Sequence, residues 1–449
     1  MDQLLKVKGM MDIAWKKSTS IIRVMKDEYL LYNTLNGAMA GCTLEHAEKI
    51  NAVLENPNMY IHSPIFDKLV EYKFILDSAE DVYQIIERKF HDKYVDNSYM
   101  GLTIMPTEQC NFRCVYCYED HLKPKMKMHV QKAIVEYVEQ NIDKHKGLWV
   151  EWFGGEPLLA MDVVKYLSEC FLDICKRHNK PYKAGMTTNG YFLNHETFKQ
   201  LYNYHVWHYQ ITIDGSKKIH DMQRPLVNGA GSFDRIVENL KQIRDNDKHR
   251  LWGITLRTNV SLNMLNGMNE YLTMLKQEFS NDRRFTFVLR KMWSNNTECS
   301  DEIVCADDMY NRISQSSLDN GFLSFNDYQM SFDLGYVCYA AKPYDYVIGS
   351  DGKFYKCTVH LDSDNNHVGS ITDDGKVEFY DEKLAMWNTP NSNLIKKCKK
   401  CSLYATCVSR SCPAKGEHIN CAYLKEDITK SICTFKKMTS KYLNLEEYV

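Results

Sequence analysis

Leu102-Thr103-Ile104-Met105-Pro106-Thr107-Glu108-Gln109-Cys110-Asn111-Phe112-Arg113-Cys114-Val115-Tyr116-Cys117 joins a short apolar run to a loop that carries three cysteines. The run reads as a strand. The loop has the spacing C-x3-C-x2-C. Three thiolates on one loop can ligate zinc, which normally takes a fourth ligand, or three irons of a cubane whose fourth iron stays open. An open iron can be chelated by a small molecule and pass it an electron directly.

Working outward, the same kind of strand recurs between Gly101 and about Arg290. Further runs are Trp149–Phe153, Lys183–Thr187, Tyr209–Ile213, Ile254–Arg257 and Phe285–Leu289, with amphipathic helical patterns between them. Strands alternating with helices predict parallel βα units closing into a full or partial barrel, with functional residues at the C-terminal strand ends. The cysteine loop follows the first strand. Trp152-Phe153-Gly154-Gly155-Glu156-Pro157 follows the second and Thr187-Thr188-Asn189-Gly190 the third. The fourth runs into Thr212-Ile213-Asp214-Gly215, followed by His220 and Arg224.

Taken together these segments resemble the radical S-adenosylmethionine superfamily, including an aromatic residue, Tyr116, before the third cysteine. The resemblance implies a partial (β/α)6 barrel whose Cys110, Cys114 and Cys117 hold a [4Fe–4S] cluster that binds S-adenosylmethionine. It also implies a 5′-deoxyadenosyl radical and an external electron donor such as flavodoxin or ferredoxin. By the same resemblance Tyr116, Gly154, Gly155, Glu156, Thr212 and Arg224 are cofactor-binding residues, Arg224 pairing with the S-adenosylmethionine carboxylate. The glycines would let backbone approach the ligand. Leu289, near the end of the sixth strand, and Arg257, at the end of the fifth, are further lining candidates. No residue is identified as the catalytic base.

The cysteines are uneven: of sixteen, eight lie from Cys338 onward. Cys338, Cys357, Cys398, Cys401, Cys407, Cys412, Cys421 and Cys433 resemble the SPASM domain, which carries two auxiliary [4Fe–4S] clusters in radical enzymes acting on peptides. By position Cys338, Cys357 and Cys412 match the first cluster. Cys398, Cys401, Cys407 and a late cysteine, Cys433 by spacing, match the second, and Cys421 could complete the first. A zinc ribbon is the alternative for Cys398 and Cys401. Cys42, Cys170, Cys175, Cys299 and Cys305 read as buried or surface thiols.

Residues about 20–98 read as a small unit of their own. Strands at Ile21–Val24 and Tyr29–Tyr32, a return at Asn36-Gly37, and three helical patterns resemble a winged helix that holds a leader peptide by strand addition. Lys6, Lys8, Lys16, Lys17 and Arg23 would suit an acidic leader. The expected domains are thus 1–98 for leader recognition, 99–294 for the barrel, 295–337 as linker and 338–449 as SPASM.

Composition excludes rather than assigns. Lys+Arg 56 against Asp+Glu 58 implies no nucleic-acid partner. No run is long and apolar enough to span a membrane, and no signal peptide is apparent, so a cytoplasmic protein is expected.

The expected function is a peptide maturase that oxidatively crosslinks a ribosomally made precursor peptide through a thioether or carbon–carbon bond. Two alternatives stand beside it: an anaerobic sulfatase-maturing type of enzyme, and a non-catalytic iron–sulfur peptide-binding protein. Sulfatase-maturing enzymes carry an aspartate base directly after the cysteine corresponding to Cys357, where this chain has Thr358. Their triad also lies near the chain start.

Overall fold

Strand pairing sorts the chain into two compact units that interleave along the sequence. The computed structural model describes residues 14–25, 28–96, 98–292, 337–372, 374–388, 398, 401–406, 432, 436 and 442–448. One unit combines residues 1–95, 328–341 and 389–449, the other residues 96–327 and 342–388. The grouping therefore divides the region after 338, which the sequence reads as one domain. The physical reason is pairing: residues 345–348 add a strand to the barrel sheet, and residues 442–444 add one to the N-terminal sheet.

In the first unit, β1 (Trp15–Lys17) pairs with β5 (Ile75–Asp77). Strands β2 (Ile21–Met25), β3 (Tyr29–Asn33) and β4 (Ala38–Cys42) form an antiparallel meander rather than the expected strand pair. All five residues of β3 are buried, because both of its edges are paired and both of its faces covered. Three helices follow: α1 (Ala47–Glu55), α2 (Pro64–Glu71) and α3 (Val82–Tyr94). Ser63 caps α2 through Phe66 N–H with Pro64 in the first turn, and Asp81 caps α3 through Tyr83 and Gln84. Thr43 does not cap backbone; its hydroxyl meets His46 Nδ1 at 3.4 Å. Ile50, Leu54, Phe66 and Leu69 bury the helix faces against β3 and β4.

In the second unit the six strands of the alternating pattern are present and parallel. They are β6 (Tyr99–Ile104), β7 (Gly147–Trp152), β8 (Tyr182–Thr188), β9 (Val206–Thr212), β10 (Gly253–Val260) and β11 (Phe285–Lys291). They lie side by side in chain order. Helices α4 (Met128–Asn141), α5 (Met161–Arg177), α6 (His195–Asn203), α7 (Lys217–Gln223), α8 (Phe233–Asn246) and α9 (Met268–Glu278) make the crossovers. Their apolar stripes pack on one face of the sheet, where Ile104, Trp152, Met186 and Ile211 are buried.

Beyond β6 the sheet continues through β12 (Asp345–Ile348), parallel to β6, and then antiparallel β13 (Lys353–Tyr355), β14 (His367–Ile371) and β15 (Val377–Phe379), flanked by α10 (Asp381–Asn388). The barrel edge at β6 is thus extended rather than closed on β11. Back in the first unit, β16 (Tyr442–Asn444) runs parallel to β4 and covers its outer edge. No helix among the described residues is long and apolar enough to cross a membrane.

Candidate active site

The C-terminal ends of the barrel strands open onto a cavity of about 550 Å³. Cys110, Cys114 and Cys117 line it together with the segments that end β7, β8, β9 and β10. The cysteine loop is pinned by backbone hydrogen bonds to the stretch after α7: Arg113 N–H to Pro225, Val115 N–H to Gln223, and Val227 N–H back to Asn111, at 2.9, 3.0 and 2.9 Å. Cys110 Sγ accepts from Phe112 N–H at 3.4 Å and lies 3.9 Å from Asn189 Nδ2. Burial pushes the Cys110 thiol up to about 12 and Cys117 to about 11. Burial also raises Cys114, against the pull of Arg224. Metal binding here would therefore release protons.

No group of three or more His, Cys, Asp or Glu among the described residues is arranged to hold a single metal ion. A cubane, taking one thiolate per iron, does not need that arrangement. Three soft ligands on one cavity wall fit it.

The Gly154-Gly155 turn has a different physical reason from the one the sequence suggests. A Cβ on Gly154 (φ 105°) would stand 2.5 Å from Thr107 O, and one on Gly155 would stand 2.4 Å from both Glu108 O and Gln109 O. The glycines let two backbones meet, locking the base of the cysteine loop onto the end of β7, and Glu156 N–H completes the contact to Gln109 O at 2.9 Å. Glu156 is fully buried, and its carboxylate accepts from Thr188 Oγ1 (2.7 Å), Asn189 N–H (2.7 Å) and Leu158 N–H (3.0 Å). It joins the β7 and β8 loops instead of facing the cavity, so only its backbone remains for a ligand.

Tyr116 and Arg224 do meet. The Tyr116 hydroxyl bonds Asp214 Oδ2 and accepts from Arg224 Nη1 (2.6 Å) and Asn259 Nδ2 (3.0 Å). Asp214 also accepts from Asn259 N–H at 2.8 Å. Burial raises the Asp214 carboxyl, opposed by the Arg224 charge. His220 supports this network from behind. Asp214 N–H donates to His220 Nδ1 (3.1 Å), so Nε2 carries the proton toward Ser232 Oγ (3.1 Å), which donates to Arg224 O (2.8 Å). Burial and then Arg224 hold His220 well below its ordinary value, keeping it neutral. Arg224 Nε is buried without a partner. An orphaned guanidinium donor in this cavity suits a carboxylate ligand.

Residues 104–270 match the family model described as the Radical SAM superfamily. These residues are a radical SAM domain. Over a longer stretch the chain is 24% identical to the cysteine-type anaerobic sulfatase-maturating enzyme of Clostridium novyi (strain NT), across 69% of this chain and 87% of that protein. It is 28% identical to GTP 3′,8-cyclase of Peptoclostridium acidaminophilum, across 31% of this chain and 41% of that one. The solved structure of native anSMEcpe with bound AdoMet and Cp18Cys peptide superposes with a TM-score of 0.56 at 18% identity. It covers 75% of this chain and 99% of that one, a likeness of fold.

The remaining candidates divide. Thr212 and Arg257 line the cavity. Leu289 does not: it pairs in register with Thr258, whose hydroxyl bonds Tyr271 and Ile213 on the helix-packed face. Strand alternation puts Leu289 on that same face, which removes it from the cofactor contacts.

Several cavity residues carried no sequence signal strong enough to single them out. Asn259 lies beyond the expected end of the fifth strand. His121 and Glu119 lie past the triad, and Thr358 and Val359 come from the segment after β13. Cys357 sits on that segment, where Asn366 clamps it by accepting from Cys357 N–H (2.8 Å) and donating to Cys357 O (2.7 Å). Cys338 belongs to the first unit, as do Cys398 and Cys401, which a turn joins through Cys401 N–H to Cys398 O at 2.8 Å. Cys407, Cys412, Cys421 and Cys433 lie outside the described residues. Cys42 and Cys175 are buried and Cys170 is partly so.

Proposed function

We propose that the chain oxidatively crosslinks a ribosomally made precursor peptide, forming a thioether or a carbon–carbon bond. The observation that carries the radical part is the shared cavity: the three cysteines, the Gly154-Gly155 turn and Arg224 line one space at the strand ends. Bound there, a [4Fe–4S] cluster on Cys110, Cys114 and Cys117 with S-adenosylmethionine supplies a 5′-deoxyadenosyl radical. Arg224 holds the cofactor's carboxylate, and the Tyr116–Asp214–Asn259 bonds keep that guanidinium in place.

A peptide substrate is supported by the long similarity to a protein named for maturing sulfatases. The much shorter similarity to a cyclase named for GTP suggests that the radical core alone does not set the substrate. Against sulfatase maturation itself, Thr358 stands in the cavity wall where those enzymes place an acid. Auxiliary clusters on Cys338, Cys357, Cys398, Cys401, Cys407, Cys412, Cys421 and Cys433 would accept the electron left by two-electron oxidation. In this reading the electron comes from an external donor such as flavodoxin or ferredoxin.

Residues about 20–98 hold the leader in this reading. Because β16 covers β4, a leader strand adds along β2, the other edge of the described sheet. Lys17 and Arg23 contribute less charge than their sequence suggests, since both are paired with Glu55 at 2.7 and 2.6 Å.

The test is anaerobic reconstitution, with about twelve irons expected for three cubanes, followed by reaction with the cysteine-containing peptide encoded beside the gene. A loss of two hydrogens per modification supports crosslinking. An unchanged peptide mass despite 5′-deoxyadenosine release refutes it.

A further inference from the structure

Two-electron oxidation of a peptide releases a proton as well as an electron. Thr358 cannot take it, because a hydroxyl is no base near neutral pH. Among the described residues lining the cavity, His121 is the only histidine.

Its geometry fixes its protonation. His121 Nδ1 lies 3.1 Å from Glu108 O. A carbonyl oxygen only accepts, so Nδ1 bears the hydrogen and Nε2 keeps its lone pair. No described residue bonds Nε2. The backbone at His121 turns into the left-handed region (φ 58°), a sparsely populated conformation that persists where surrounding contacts enforce it. Just beyond the turn, Lys123 ties the segment down through Glu108 (3.2 Å) and Asp351 (3.5 Å). The imidazole is therefore held in one tautomer at the cavity wall. Burial lowers its affinity for a proton; the Glu108 carbonyl opposes this, Arg113 adds to it and Asp120 opposes it. The other ionisable groups at the cavity include Glu119 on the same loop, whose carboxyl burial raises to about 8, and Arg224 and Arg257 from the barrel.

We propose that His121 is the catalytic base: its Nε2 takes the proton that the peptide releases as its radical oxidation is completed. The inference rests on the peptide-oxidation reading above. A substrate C–H loses a hydrogen atom to the 5′-deoxyadenosyl radical. A second group, S–H or C–H, then bonds to that carbon. Its proton goes to His121 Nε2, and the remaining electron goes to a one-electron acceptor of the iron–sulfur class. On the peptide one bond forms and two bonds to hydrogen break; one hydrogen ends in 5′-deoxyadenosine, the proton on Nε2 and the electron on the acceptor.

The experiment compares the wild-type holoenzyme with His121→Asn, whose amide nitrogen stands where Nδ1 stood and keeps a donor for Glu108 O but cannot take a proton, and with His121→Gly. The probe is the cysteine-containing peptide encoded beside the gene. The expected result is a fall of roughly a hundredfold in crosslinked product per 5′-deoxyadenosine for His121→Asn, with partial recovery in His121→Gly on adding imidazole. An unchanged ratio overturns the base while leaving the peptide reading intact. Wild-type enzyme that forms 5′-deoxyadenosine but no oxidised peptide defeats the peptide reading and the base with it. A second measurement needs no substrate: diethyl pyrocarbonate at mildly acidic pH, followed by mass mapping, should modify His121. An unmodified His121 would show that Nε2 is not available and overturn the proposal.

Discussion

The two faces of the parallel sheet β6–β11 are built from the same strands and have opposite chemistry. On the helix-packed face Ile104, Trp152, Met186, Ile211 and Leu256 are buried side by side. On the concave face Thr103, Glu151, Thr187, Gln210, Thr212 and Arg257 are only partly buried. A closed eight-stranded barrel fills its interior with layers of branched apolar side chains. Here the sheet instead continues from β6 into β12, and polar groups line the inner face. Stability is therefore concentrated on one face and chemistry on the other. Substitutions should separate accordingly.

The largest effect is expected on the concave side. Cys110→Ala should abolish 5′-deoxyadenosine formation from S-adenosylmethionine, measured by liquid chromatography of the dithionite-driven reaction. Residual cleavage at the wild-type rate would break the assignment of the triad.

On the opposite face, Trp152→Ala should lower stability by about 3–5 kcal/mol through the cavity it leaves. Denaturant midpoints report this, and a loss of activity without a shifted midpoint would contradict the division.

A smaller effect tests the join between the faces. Tyr116→Phe deletes the hydroxyl on which Asp214, Arg224 and Asn259 converge. Leaving buried polar groups short of a partner costs about 1–3 kcal/mol. Weaker S-adenosylmethionine binding by calorimetry is expected, since Arg224 loses its anchor; unchanged affinity would place Arg224 outside the cofactor site.

A last effect, spread over several pH units, concerns Glu151. Burial raises its carboxyl to about 8, with the Thr187 hydroxyl opposing at 3.2 Å. The folded state thus holds a proton that the unfolded state releases above the ordinary carboxylate range. Stability should fall as pH rises from about 4.5 to about 8. Glu151→Gln should flatten that slope in denaturant titrations, and an unaltered slope would mean the proton resides elsewhere.

Much of the site was legible because its parts are local in sequence. The triad spacing, the Gly-Gly turn after β7 and the Asp214–Arg224 stretch each sit at the end of a strand whose alternation shows in the residue pattern. Thr187, Thr188 and Asn189, nearly generic as letters, line the cavity with them. The misreadings arose where a motif's letters do not reveal direction. Glu156 turns inward to tie two loops together, and Leu289 falls on the wrong side of its strand. Gly154 and Gly155, which line the cavity, are required by neighbouring backbone as well. The N-terminal meander was undercounted because Ala38–Cys42 is short and weakly β-branched, and becomes a strand through partners on both sides.

By itself the sequence determined the parallel βα core, the order of its strands and the cysteine loop at its mouth. Period-two and helical patterns are set by nearest neighbours along the chain, and they survive without knowledge of the fold. Only the tertiary structure decided what lies across a sheet from what. It placed residues 345–348 beside β6 and residues 442–444 beside β4, and brought Thr358 and His121 to one cavity. Those contacts join residues hundreds of positions apart, and their register depends on which buried faces fit together rather than on any local signal.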